Sequence, residues 1–154
     1  MEKRLISGIL QRAGLNAFKV SSITDKENAG KIFQRLAEHR VNIEFVNQIP
    51  LKNGTIDIIL CVDKKDAQST RALLEEVKTI LNAQAIFPLE AVGILSLFPH
   101  REHALISGTI MQALSEAHIP LLAMASSISA ISCVIKEEQV PNTLSLLSRQ
   151  FSLS

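Results

Sequence analysis

One pattern occurs twice in this chain at a fixed spacing. Ile32, Leu36, Glu38, Val41 and Ile43 return as Ile110, Leu114, Glu116, Ile119 and Leu121, each pair 78 positions apart. In each copy the first two apolar residues lie one helical turn apart, and the last two alternate as in a strand. The strand before each helix also recurs, but Ser22 and Ser96 are only 74 positions apart. The four-residue difference therefore falls in the loop between that strand and its helix. A chain of 154 residues with this repeat divides into two small units of one architecture. Copies that keep their cores and vary in one loop point to that loop as the place where function differs.

The first copy reads as follows. Ala17 to Ile23 is rich in β-branched residues and predicts a strand. Ile32, Phe33 and Leu36 share one face of a helix whose start Asp25 or Asn28 can cap. Val41 to Ile49 alternates apolar and polar residues, as a half-buried strand does. Asn53-Gly54 predicts a hairpin turn into an antiparallel strand from Thr55 to Val62. A helix follows, capped by Asp63 or Asp66, with Thr70, Leu73, Leu74, Val77, Ile80 and Leu81 at helical spacing. Ala83 to Glu90 predicts a short strand or connector broken at Pro88. The order β-α-β-β-α-β is the ferredoxin-like plan of an antiparallel sheet with two helices on one face.

The second copy repeats that order. A strand at Glu90 to Phe98 precedes a helix burying Ile106, Ile110, Met111 and Leu114. Strands at Ile119 to Ser126 and Ser129 to Ile135 lead to a last helix with Val140, Leu144, Leu147 and Phe151 on one face. Pro141 suits its first turn, where a missing N–H has no partner to lose. The fold class is thus α+β, as two tandem ferredoxin-like units. Residues 1–88, including a strand at 4–10, form the first, and residues 89–154 the second.

Several functions are disfavoured by what the chain lacks. It has six Phe but no Trp or Tyr, so few rings are available to stack nucleic-acid bases. Its formal net charge is +1, with no basic patch for DNA or an anionic membrane. No apolar stretch is long enough to span a bilayer, and the opening "MEKRLISGIL" is too short for a signal segment, so a cytoplasmic protein is expected. Cys61 and Cys133 sit in apolar strand-like runs and read as buried thiols. His100 and His103 lack the further ligands of a metal site, and no cofactor motif is present, so neither metal nor cofactor is expected. His39 and His118 end their helices, where a partly positive ring suits the dipole. No catalytic constellation is apparent.

Four segments carry a family resemblance. "LISGIL", "DKENAGKIFQRLAEHRVNIEFVNQ", "NGTIDIILCV" and "ASSISAISCVI" resemble, in order, the characteristic stretches of ACT domains, in particular the paired ACT units that regulate aspartokinase. The resemblance implies a non-catalytic regulatory protein, with the kinase domain absent. It implies an amino-acid effector, such as threonine or lysine, at the junction of paired units. It also implies a homodimer joined through the ACT sheets and a biosynthetic enzyme as the regulated partner. The implied ligand-binding residues are Asp25 for the effector's amine, Asn28 and Ala29 in the cradling loop, Gln48 on the following strand, and Leu121 in the second unit. Asp25 equally fits a helix cap.

The departures from the family pattern are specific. The Pro-Gly of the first loop is replaced by Glu27 and Asn28, and that of the second by Ala104 and Leu105. The family's strand Asn is Pro120, and a Glu that binds lysine in some members is Ile128. The second site is expected to be closed. These losses favour an alternative in which the ACT plan persists only as a dimerisation module.

Overall fold

The computed structural model describes residues 3–153. It contains seven strands and four helices of the α+β plan among those residues: β1 (Arg4–Ile23), α1 (Gly30–Glu38), β2 (Ile43–Pro50), β3 (Ile56–Asp63), α2 (Ala67–Ile80), β4 (Ala85–Pro99), α3 (His103–Glu116), β5 (Ala123–Ser126), β6 (Ile131–Lys136), α4 (Val140–Gln150) and β7 (Phe151–Leu153). Two compact units divide this chain. One, the central unit, is Gly14–Ala91; the other, the flanking unit, joins the residues up to Ala13 with those from Val92 onward. Where the sequence reading groups 4–10 with the first half, the contacts group that segment with the second.

In the central unit β3 lies between two antiparallel partners, β2 and the C-terminal half of β1. A strand paired on both sides is buried on both faces, and Ile56 to Val62 are all buried. Ile58, Leu60 and Val62 meet Phe18 and Val20 of β1, with Ile32 and Leu36 of α1 and Leu73, Leu74 and Val77 of α2, in one core. The hairpin turn closes where Asn53-Gly54 predicts: Gly54 has φ +84°, and the Asn53 Oδ1 accepts from the Thr55 N–H and hydroxyl at 3.2 and 2.6 Å. The Asp63 carboxylate accepts the Lys65 N–H at 3.0 Å in the turn before α2, whereas Asp66 caps nothing with its side chain. Of the residues expected on the buried face, Ile80 is 53% exposed, whereas Leu81, just past the helix, is fully buried. Pro88 does not break the chain into a connector: β4 runs through it. The register with β6 covers only Val92–Leu97, so the missing N–H at Pro88 falls outside that ladder.

In the flanking unit the order is β5-β6-β4, all antiparallel, with α3 and α4 on the core formed by Leu95, Leu97, Ile106, Ile110, Leu114, Ile131, Cys133, Ile135 and Leu147. Ile6 of β1 is fully buried in the same core, and Arg4–Ile6 pairs in parallel with Phe151–Leu153 of β7. Phe151, read as the last helical residue, opens that strand instead. Met111 is half exposed, and Ala113 takes the buried position on α3.

The internal repeat extends to backbone detail. Arg40 and His118 both take positive φ, 56° and 55°, just after α1 and α3. The Val41 N–H then reaches back to the Leu36 carbonyl, and the Ile119 N–H to the Leu114 carbonyl, both at 2.9 Å. This is the helix-ending turn in which a left-handed residue lets the next N–H cap an orphan carbonyl. Both thiols are buried, and burial raises them to about 12 for Cys61 and about 11 for Cys133, so they remain protonated and inert at neutral pH.

Candidate functional site

The loop from Thr24 to Ala29 in the central unit carries three of the five residues singled out from the sequence. A buried carboxylate sets its starting direction. Asp57 of β3, 7% exposed, accepts the Ser22 N–H at 2.8 Å and faces the Lys19 ammonium at 3.5 Å. Ser22 has φ 52°, and the β1–β3 register slips between Val20 and Ile23. The carboxylate therefore satisfies a backbone donor that the bulge removes from the ladder. The equivalent pair in the flanking unit is Ser96 and Ser132, whose hydroxyls lie 2.8 Å apart. Asp57 was not picked out from sequence. The signal was a charged residue inside an otherwise apolar strand.

Beyond the bulge the loop is anchored by the Asp25 N–H on the Leu81 carbonyl, 3.2 Å, and by the Thr24 N–H on the Asn82 carbonyl, 3.4 Å. It winds through a single turn at Lys26–Asn28 into α1. The Asp25 carboxylate makes no cap bond to the backbone. Instead it accepts the Asn28 side-chain amide through both oxygens, at 3.1 and 2.9 Å. The Asn28 N–H goes to the Asp25 carbonyl, and the Ala29 N–H to the Lys26 carbonyl, at 3.2 and 3.3 Å. Ala29 turns its methyl into the core. Asp25, Asn28 and Ala29 are thus together, with their polar groups engaged by one another.

Gln48 is exposed on β2, the outer strand of this unit. It lies opposite Ile58, which pairs with Val20 of β1, so Gln48 sits toward the end of the sheet from which the Asp25 loop departs, two strands over. Leu121 belongs to the flanking unit. It precedes β5 rather than lying in it, and it is half-buried against that unit's core. In the second loop His103 contacts the Ile128 carbonyl at 2.7 Å through Nε2, and the Ile128 side chain is 92% exposed. No group of three His, Cys, Asp or Glu side chains poised for a metal ion occurs among the described residues. No helix there is long and apolar enough to cross a membrane.

The fold is a pair of ferredoxin-like units, each with a loop between a strand and its first helix that differs between the copies. The ACT domain model matches residues 29–82, within the central unit. At the level of whole proteins, the chain is similar to part of aspartokinases. It is 25% identical over 99% of its length to the aspartokinase of Corynebacterium glutamicum, of which it covers 38%. The chain thus spans well under half of the curated relatives it matches. Among solved structures, the regulatory subunit of aspartate kinase from Thermus thermophilus, in its ligand-free form, superimposes with a TM-score of 0.83 and 18% identity, covering 96% of this chain and 99% of that one. The aspartate kinase of Synechocystis gives a TM-score of 0.87 and 18% identity over 97% of this chain and 28% of that protein.

Proposed function

We propose that this chain is a non-catalytic regulatory module that senses an amino acid and controls an aspartokinase-like biosynthetic enzyme. The observation that carries this reading is length-matched likeness: a regulatory subunit of aspartate kinase is covered almost end to end by these two units. In this reading the chain works in the cytoplasm as a homodimer joined through its ACT sheets. The effector's amine takes the Asp25 carboxylate in exchange for the Asn28 amide. Its carboxylate lies at the start of α1, where Ala29 supplies no side-chain oxygen to the first-turn N–H groups. Gln48 contributes an amide from β2.

Thermal unfolding against each of the twenty amino acids tests this. One of them should raise the midpoint, because a ligand that binds only the folded state stabilises it, by about 2.7 kcal/mol at a hundredfold excess over Kd. Asp25→Ala should remove that response. No shift with any amino acid at millimolar concentration would refute the sensor reading.

A second reading, a dimerisation module without a ligand, draws on one observation. The Asp25 carboxylate is already held by Asn28 at both oxygens. Asn28→Ala separates the two. It should strengthen effector binding in a sensor and change nothing but stability in a bare module.

A further inference from the structure

The internal repeat exposes a difference between the two helix layers. In the central unit the α1–α2 seam is bridged by an ion pair. Arg35 of α1 donates through Nη2 to both Glu76 oxygens at 2.9 Å, and through Nη1 to Glu38 at 3.0 Å. In the flanking unit both cross-helix positions have changed. Arg35 and Ala113 each stand three residues before the final Glu of α1 and α3, and Glu76 and Arg149 are each the tenth residue of α2 and α4. The arginine has become a buried alanine, and the glutamate an arginine. Arg149 has no acidic partner among the described residues.

The corresponding seam is open. A cavity of about 270 Å³ lies between the end of α3 and α4. Its apolar wall is Ile119, Leu146 and Ala117, and Asn142, Ser145 and Arg149 line it from α4, with Gln139 just before that helix. Among the described residues Arg149 is the one charged side chain lining it, and it carries the planar donor fork that matches a carboxylate. The apolar wall beside it suits a short aliphatic chain, and the volume is that of a small metabolite.

We propose that this seam is a ligand site for a small aliphatic carboxylate. The carboxylate pairs with the Arg149 guanidinium as the Glu76 carboxylate pairs with Arg35 in the other unit, with the charges exchanged between the two sides of the seam. Asn142 and Ser145 take its remaining polar contacts, and the aliphatic part lies on Ile119 and Leu146. The site is separate from the Asp25 loop and does not depend on the sensor reading.

The test is a titration of the full chain with 3-methylbutanoate, followed by amide chemical shifts, with acetate as the bare carboxylate and 3-methylbutanol as the same chain without charge. Saturable shifts at Asn142, Ser145 and Arg149 are expected with 3-methylbutanoate, weaker ones with acetate, and none with the alcohol. Arg149→Ala should weaken binding at least tenfold, and Asp25→Ala should leave it unchanged. The double variant Ala113→Arg, Arg149→Glu recreates the bridge of the other unit and should abolish binding. The proposal is overturned if 3-methylbutanoate gives no saturable shift at these residues, or if Arg149→Ala binds as tightly as the parent. It is equally overturned if only a Glu-rich peptide saturates them, which would assign the seam to an acidic protein partner.

Discussion

Two threonines at equivalent positions have unequal surroundings. Thr70 and Thr143 are both fully buried, each the fourth residue of its helix. The Thr143 hydroxyl donates to the Gln139 carbonyl at 2.7 Å, one turn back. The Thr70 hydroxyl has no partner among the described residues. In its place Ser69 donates to the Asp66 carbonyl, at 3.0 Å. A buried hydroxyl without a partner carries its full desolvation cost, so replacing it with a methyl of the same shape relieves that cost. Thr70→Val should therefore raise stability by about 1 kcal/mol, and Thr143→Val should lower it by about the same amount. Urea midpoints at unchanged slope measure both. Residues of the site were legible to different degrees for a similar reason. Asp25 stands out in the sequence because its loop varies between copies. Its bond to Asn28 depends on a single turn that places the two side chains face to face. Asp57 acts across strands, on Ser22 and Lys19 of β1, and local spacing carries no trace of such partners.

At the scale of elements, the helix-then-strand repeat was readable because both periods are local. Ile32 and Leu36 occupy one helix face and are buried, as are Ile110 and Leu114. Strand extent was not readable. β1 runs unbroken through Gly14 at φ +72°, and β4 through Pro88, so the local signals that usually end a strand do not end either one. β4 also carries a contact that only the packed element reveals. A Cβ on Gly93 would lie 2.5 Å from the Val140 Cγ2 and 3.3 Å from the Arg12 carbonyl oxygen. The first is closer than packed carbons approach, and a β-branched side chain at the start of α4 has no second rotamer that yields easily. Gly93→Ala should cost about 1–3 kcal/mol through displacement of α4 from β4. Pairing it with Val140→Ala should recover most of that loss beyond the cost of Val140→Ala alone. Denaturant unfolding of the three variants closes the cycle.

For the whole molecule, the two units differ in how the chain builds them. The central unit is one continuous segment, whereas the flanking unit is completed by residues that precede the central one in sequence. A reading that moves along the chain has no local signal for this, because strand pairing between residues 4–6 and 151–153 spans nearly the entire length. The arrangement makes residues 4–13 structural for the far end of the chain. Ile6 is fully buried among Leu95, Leu97 and Leu147, and its loss forfeits about 1.5–3 kcal/mol of apolar burial. β7 has β1 as its ladder partner, so its backbone groups return to water without it. Deletion of residues 1–13 should therefore raise amide exchange across β6, α4 and β7 by orders of magnitude. Exchange in β2 and β3, which pair within Gly14–Ala91, should rise far less. Adding the 1–13 peptide back should restore protection in α4 and β7. Equal loss of protection in both units would show that the chain opens as one cooperative body. Loss confined to β2 and β3 would contradict the assignment of the N-terminal strand to the flanking unit.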